Sequence, residues 1–267
     1  MEDILFFSYL FVFGTAIGSF LNVLIDRLPA EESIMGRSHC DYCMKPLTAI
    51  DLVPLLSYLM LNRRCRRCKK ELSWQYPAIE AFTGLLFVLT WIYAPVITHP
   101  SLFIIERIVY ITAVSALIVL FFADLKYHIL PDSMQVMLVI CAFLFSVLRF
   151  NLNTDPFLLN MPHLAIAGLA VSAPIFFLFV VTGGRGMGFG DVKLAFTIGL
   201  LHGIWGGLLS LYVAFLTGGL FGIVLIMFNL KKIKSKIAFG PFLIMGILFV
   251  LYAGAPVEEW VRGMYGF

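Results

Sequence analysis

The sequence predicts an all-α integral membrane protein with about eight transmembrane helices and one long polar insertion between the first two. Of its 267 residues, 61% are hydrophobic and only 13% are charged, and the mean hydropathy is +0.95. Soluble globular domains do not have this composition, whereas proteins that cross a membrane several times do. The net charge of +3 reflects basic loops beside the membrane, so we expect the lipid bilayer as a partner and no nucleic acid.

The eight helices are predicted from apolar runs that approach the roughly 20 residues needed to cross a bilayer. The runs cover residues 4–25, 78–95, 103–123, 134–150, 163–182, 192–204, 208–230 and 237–255. The first run follows Met1-Glu2-Asp3, which is acidic where a cleaved signal peptide is basic, so we expect it to remain as a helix. The sixth run is short, and we expect it to extend toward Gly190 or Trp205.

Loop charges predict how these helices are oriented, because Lys and Arg accumulate on the cytoplasmic side. The insertion, residues 26–77, contains nine Lys/Arg. Three further loops contain Lys/Arg and are expected on the same side: Lys126; Arg185 and Lys193; and Lys231, Lys232, Lys234 and Lys236. The alternate loops, residues 98–101, 151–162 and 202–207, are nearly free of them. Both termini are therefore predicted on the outer side and the insertion in the cytoplasm.

The insertion contains two C-x-x-C pairs, Cys40/Cys43 and Cys65/Cys68, with 21 residues between them. This spacing is typical of a structural zinc site with four cysteine ligands. An insertion of about 50 residues with few large apolar side chains needs such a metal in place of a hydrophobic core. A redox-active C-x-x-C pair is the alternative. The domain organisation predicted is a first helix (1–25), a zinc-binding insertion (26–77) and a membrane core (78–267).

Two aspartates, Asp124 and Asp191, lie at the edges of apolar runs, and the predicted topology places both at the cytoplasmic face. An acid at the C-terminal end of a helix is unfavourable, so capping does not explain Asp124. Asp191 stands near a helix start, but Leu194 cannot complete a capping box, and the glycines around it indicate close passage of another chain. We predict an acid/base pair that shares one proton, as in an aspartyl protease.

Asp132 is interpreted differently, because it follows Pro131 and precedes the fourth apolar run. With Gln135 three residues later it fits a helix N-cap and capping box. A substrate-binding or orienting role is the alternative.

Several motifs in this order resemble the type IV prepilin peptidase family nearly from end to end. Besides the cysteine pairs they are G-S-F-L-N-V at 18–23, R-L-P at 27–29, Y-P-A-I-E at 76–80, D-L-K-Y-H-I-L-P-D at 124–132, G-F-G-D-V-K at 188–193 and F-G-P-F-L at 239–243. The resemblance implies a bacterial inner-membrane enzyme that cuts the basic leader from prepilins and pseudopilins. It also implies that the new N-terminal residue is then methylated with S-adenosylmethionine.

The resemblance also assigns roles to residues. It implies that Asp124 and Asp191 are catalytic and that Cys40, Cys43, Cys65 and Cys68 bind zinc. Gly18, Asn22, Arg27 and Glu80 are candidates for binding S-adenosylmethionine near the cytoplasmic ends of the first two helices. Two alternatives remain: a peptidase without methylation, and a membrane redox or transport protein in which the acids conduct protons.

Overall fold

The computed structural model describes residues 2–40, 42–95, 102–150, 161–228 and 237–265, and within these ranges the regular elements are helices. They are α1 (Glu2–Arg27), α2 (Leu56–Met60), α3 (Gln75–Tyr93), α4 (Phe103–Tyr127), α5 (Asp132–Phe150), α6 (Met161–Thr182), α7 (Phe189–Met227) and α8 (Gly240–Tyr265). A short 3-10 helix, Ala49–Leu52, precedes α2. The prediction of an all-α fold is confirmed.

All eight predicted apolar runs overlap these helices, but two of them lie in one helix. The sixth and seventh runs both fall in α7, which has 39 residues and is interrupted at Gly203, where φ is 71° and ψ is −169°. Only glycine adopts such a backbone conformation without strain. Among the described residues, five helices are long and apolar enough to cross a membrane, namely α1, α3, α4, α6 and α7, while α5 and α8 contain shorter apolar stretches.

The described residues form two compact units, Met1–Ile92 and Tyr93–Phe267. In the first unit, α1 and α3 approach very closely through glycines. A methyl group added at Gly14 would lie 2.7 Å from Cα of Gly84, and one added at Gly18 would lie 2.8 Å from Cα of Glu80. Small residues at helix interfaces allow this close packing in membranes, where there is no hydrophobic driving force between helices.

The second unit is built around α4 and α7, whose buried faces supply much of its core. Ile118 and Leu120 of α4, Leu194 and Ile198 of α7 and Leu243 of α8 are almost fully buried. Glycines again allow close contact: Gly199 of α7 lies directly against the backbone of Ala167 in α6, and Gly246 of α8 lies directly against the backbone of Ser210 in α7. This packing fixes the positions at which α4, α7 and α8 begin or end.

Several loops used to predict the topology lie outside the described residues. These are residues 98–101, residues 151–160 of the loop 151–162, and Lys231, Lys232, Lys234 and Lys236. The orientation in the membrane therefore remains a prediction.

We expect Gly14→Ala to lower the free energy of unfolding by about 1–3 kcal/mol, because the added methyl group overlaps the backbone of α3. Gly222→Ala in α7 is the matched control, since nothing lies within 4 Å of the added methyl group. It should be neutral or stabilising, because alanine favours a helix over glycine by about 1 kcal/mol. Thermal unfolding in detergent measures both, and equal melting temperatures would contradict the packing argument.

Candidate active site and metal centre

The four cysteines of the insertion converge on one point. Their sulfur atoms all lie within 4.8 Å of one another, and Sγ of Cys40 is 3.8 Å from Sγ of Cys68. In a tetrahedral zinc site with Zn–S bonds of about 2.3 Å, the sulfurs are about 3.8 Å apart. Convergence of both pairs on one point favours a shared metal over two separate redox pairs. The four cysteines therefore fit a zinc site.

The two C-x-x-C pairs form the same backbone turn. In the first, Cys40 N–H donates to Lys45 O (3.1 Å) and Met44 N–H donates to Cys40 O (2.8 Å). In the second, Cys65 N–H donates to Lys70 O (2.9 Å) and Lys69 N–H donates to Cys65 O (3.0 Å).

The residue after the second cysteine of each turn has a positive φ, 54° at Met44 and 60° at Lys69. A repeated turn of this kind presents two sulfurs from each pair to one side.

The backbone also favours the thiolate form that a metal requires. The N–H groups of Cys68 and Arg67 donate to the sulfur of Cys65 and lower its pKa to about 7. Burial has the opposite effect at Cys40 and raises its pKa to about 11, although N–H groups of Cys43 and Tyr42 point toward it. A bound cation would offset the desolvation of both sulfurs.

A cavity in the first unit adjoins this cluster. It is lined by α1, α3 and the insertion, and Asn22, Arg27 and Glu80 are among its lining residues together with Cys40 and Cys65. Three of the four residues predicted to bind S-adenosylmethionine therefore share one cavity. Gly18 is not part of its lining; it provides the close contact between α1 and Glu80 instead.

Asn22 has an unsatisfied group in this cavity. Its Nδ2 donates to Gly18 O (3.2 Å) and to Tyr76 O (3.3 Å). Its Oδ1 is buried and has no hydrogen-bond partner among the described residues. A buried acceptor without a partner is costly, so this atom indicates where a donor from a ligand would be accepted.

Arg27 and Glu80 are already engaged with the insertion. Arg27 Nη1 donates to the carbonyl oxygens of Ser33 (3.1 Å) and Met35 (3.4 Å). Glu80 Oε2 accepts the backbone N–H of Leu55 (2.8 Å). Both side chains therefore fix loops of the insertion around the cavity.

Asp51 was not predicted from the sequence, and it lines the same cavity. Burial alone would raise the pKa of its carboxyl, but hydrogen bonds from Thr48 and an ion pair with Arg66 at 2.7 Å bring the pKa below its usual value. Thr48 and Asp51 have the spacing of a capping box, which was the available signal. With Asp26, Glu32 and Glu80, Asp51 makes this cavity rich in acids, which outnumber the two arginines of its lining.

In the second unit, Asp124 and Asp191 lie near each other although 67 positions separate them in the chain. Both are buried, with 6% and 7% exposure, and the charge of Asp124 acts on Asp191. Asp124 lies in the last turn of α4 and Asp191 in the first turn of α7. The two aspartates predicted to form a pair are thus brought together.

Each carboxylate is held at a helix N-terminus. Asp191 Oδ2 accepts the backbone N–H of Gly188 at 3.0 Å, immediately before α7. The backbone N–H of Gly240, at the start of α8, faces the Asp124 carboxylate. Helix N-termini carry a partial positive charge, so both ends stabilise an anion.

The structure corrects the argument about capping at Asp191. Its helix begins at Phe189, earlier than expected, so Asp191 occupies the third helical position and reaches back to the residue before the helix. It makes half of a capping box in addition to its place beside Asp124.

Glycines and one leucine shape the space around the pair. A methyl group added at Gly240 would lie 2.5 Å from Oδ2 of Asp124, and one added at Gly190 would lie 3.3 Å from Leu130. The Oδ2 atom of Asp124 is buried without a hydrogen-bond partner among the described residues. The pair therefore has an acceptor available for water or for a substrate proton.

The predicted capping box at Asp132 was wrong. Asp132 is the first residue of α5, and its Oδ1 accepts a hydrogen bond from Lys193 of α7 at 2.7 Å. Gln135 donates from Nε2 to Leu130 O instead (3.3 Å). A tertiary partner 61 positions along the chain replaced the local one, which is why the sequence pattern misled.

The chain matches two family models and several curated proteins. The bacterial peptidase A24 N-terminal domain matches residues 12–94, and the type IV leader peptidase family matches residues 111–223. The chain is 33% identical over 284 residues to a prepilin leader peptidase/N-methyltransferase of Aeromonas salmonicida (strain A449), covering 96% of this chain and 94% of the relative.

Proteins of the same name in two other bacteria are also similar. The one in Legionella pneumophila is 29% identical, with 97% of this chain and 96% of the relative covered. The one in Bacillus subtilis (strain 168) is 28% identical, with 97% and 99% covered. No solved structure gives a significant match.

We expect the purified protein to contain one zinc ion per chain and Cys65→Ser to lose it, because three thiolates hold the metal far less tightly than four. Cys141→Ala is the matched control, since Cys141 lies in α5, outside the cluster. Elemental analysis after gel filtration measures the metal. Full zinc content in Cys65→Ser would rule out the four-cysteine site.

Proposed function

Because this chain belongs to the type IV leader peptidase family, we propose that it removes the basic leader from type IV prepilins or pseudopilins. We further propose that it methylates the new N-terminal residue with S-adenosylmethionine. The observation that supports the peptidase most directly is the meeting of two buried aspartates, Asp124 and Asp191, at the ends of α4 and α7. The Gly-rich segment before α7, residues 183–188, leaves room for an extended peptide.

In the proposed cleavage, Asp124 and Asp191 act as a dyad that shares one proton. The ionised carboxylate takes a proton from a water molecule, whose oxygen attacks the scissile carbonyl carbon. The protonated carboxyl hydrogen-bonds to the carbonyl oxygen. When the C–N bond breaks, the departing amine takes a proton from the dyad. The N–H groups of Gly188 and Gly240 keep both carboxylates oriented throughout.

In the proposed orientation, the two aspartates lie at the depth in the membrane at which the substrate is cleaved. With eight membrane segments and both termini outside, the ends of α4 and α7 at Asp124 and Asp191 lie at the cytoplasmic boundary of a bacterial inner membrane. A prepilin with its apolar segment in the membrane and its basic leader in the cytoplasm presents the scissile bond at this boundary.

For the methyltransferase we propose the acid-rich cavity of the first unit as the binding site of S-adenosylmethionine. The residues there fit the group: its sulfonium cation suits the carboxylates of Glu80 and Asp26, and Asn22 Oδ1 is an acceptor that has no partner in the described part of the chain. When bound, the group supplies a methyl cation equivalent to the amino nitrogen of the cleaved product. Asn22, Glu80 and the loop held by Arg27 would bind and orient it. Zinc would stabilise the insertion that forms the cavity wall.

Two other functions are less well supported. A peptidase without methylation would not explain the Oδ1 of Asn22, unpaired within the described residues, in a cavity beside the cysteine cluster. A redox or transport protein would require separate thiol pairs and acids in the middle of a helix. Here the four sulfurs form one cluster, and the two aspartates lie at helix ends.

We expect Asp124→Asn and Asp191→Asn each to reduce cleavage of a prepilin by about a thousandfold or more, since a dyad works only as a pair. Asp3→Asn, at the exposed start of α1, is the control and should cleave normally. Gel analysis of precursor and mature product measures the rate. Normal turnover in either variant would exclude the dyad.

We expect Glu80→Gln to weaken S-adenosylmethionine binding about tenfold, because the isosteric change removes one charge from the cavity. The methylated fraction of cleaved product should fall in parallel. Glu71→Gln is the control, since Glu71 is exposed and pairs with Arg64. Calorimetry gives the affinity and mass spectrometry of the mature N-terminus gives the methylation. Unchanged binding in Glu80→Gln would place the cofactor elsewhere.

A further inference from the structure

A groove on the second unit runs along α5 and α7 from the ends at which both helices start. Its lining comes mainly from a stripe on each helix with the three- and four-residue spacing of one helical face, and Phe176 of α6 completes it. The stripe on α5 includes Gln135, Val136 and Val139, and the stripe on α7 includes Phe189, Lys193 and Phe196. The groove therefore extends over about two helical turns, or about 10 Å.

The groove starts at the proposed catalytic site. Phe189 and Lys193 flank Asp191 in the first turns of α7, and the ion pair of Lys193 with Asp132 joins the two helices there. A segment lying in the groove would have one end beside Asp191 and would extend away from it along both helices.

The groove is apolar and open. Val136 is 57% exposed and Phe189 is 51% exposed. Both belong to apolar helices of a membrane protein, whose outer faces contact lipid or another helix. Such a surface needs an apolar occupant, either lipid or a helix. A second feature distinguishes between the two.

That feature is the side-chain amide of Gln135, which lines the groove. Gln135 is only 4% exposed, and its Nε2 is used in the hydrogen bond to Leu130 O. Its Oε1 is buried and has no hydrogen-bond partner among the described residues. This acceptor requires a donor. A lipid chain has none, whereas the first four N–H groups of a helix are free.

We propose that this groove binds the apolar segment that follows the scissile bond of the substrate, as the first turns of a helix. Gln135 Oε1 accepts one of the free N–H groups at the start of that helix. Val136, Val139 and Phe196 contact its apolar side chains, and the scissile bond stays beside Asp191. This inference rests on the proposed peptidase function and adds the surface that positions the substrate.

Photo-crosslinking tests the location. A photoreactive amino acid is placed at Val136, or at Ile223 as the control, in the Asp124→Asn protein in lipid nanodiscs with a prepilin. Ile223 in the second part of α7 is a β-branched position with 56% exposure that does not line the groove. We expect crosslinks from position 136 to the first two turns after the scissile bond, and few from position 223. Equal yields from both, or only lipid adducts from position 136, would overturn the proposal.

Kinetics test the contribution of the groove. Val139→Trp fills it and should raise KM for the prepilin about tenfold with little change in kcat, because only uniform binding is lost. Gln135→Leu should raise KM by about fivefold, the effect of one hydrogen bond. Ile223→Trp, outside the groove, should match the wild type, and melting temperatures report on folding.

If the wild type is active and the KM of both Val139→Trp and Gln135→Leu equals that of the wild type, the groove does not bind the substrate. A wild type that cleaves no prepilin would instead refute the proposed function.

Discussion

The second unit depends on the stabilisation of two buried carboxylates by helix N-termini. Removing a carboxylate from water costs several kcal/mol even after the protein relaxes, and a second one nearby adds repulsion. The N-terminus of a helix offers about half a positive charge and free N–H groups. Asp191 uses the start of its own helix, α7. Asp124 ends α4, where the local dipole is unfavourable, and uses the start of α8 instead.

This arrangement constrains the backbone around it. The start of α8 must come so near Asp124 that no side chain fits at Gly240, and Leu130 lies less closely against Gly190. At the other end of the first part of α7, Gly203 interrupts a run of 39 helical residues. A straight helix of that length would be about 58 Å long, against about 30 Å for the hydrocarbon layer. Glycine is therefore used for contact near the aspartates and for a change of direction farther along.

The first unit is stabilised in a different way, because its polar insertion has too few apolar side chains to form a hydrophobic core. Two identical turns bring four sulfurs together, and Arg27 and Glu80 of the neighbouring helices bind backbone groups of the insertion. The walls of the acid-rich cavity are thus fixed by the cluster of four cysteines on one side and by helix side chains on the other. Within it, Asn22 Oδ1 is an acceptor to which no described residue donates.

The sequence by itself determined the all-α fold, the positions of the apolar helices and the clustering of the four cysteines, and it predicted that Asp124 and Asp191 lie near each other. These follow from composition, helix length, ligand spacing and the cost of an acid beside hydrocarbon, which are properties of single segments. Only the tertiary structure decided that Asp132 pairs with Lys193, that Gly18 packs against Glu80, that Gly240 supplies the N–H for Asp124, and that Gln135 faces a groove. Each of these contacts joins two segments that are far apart in the chain. The spacing of residues within one segment does not show which distant residue the packing of the helices brings into contact with it.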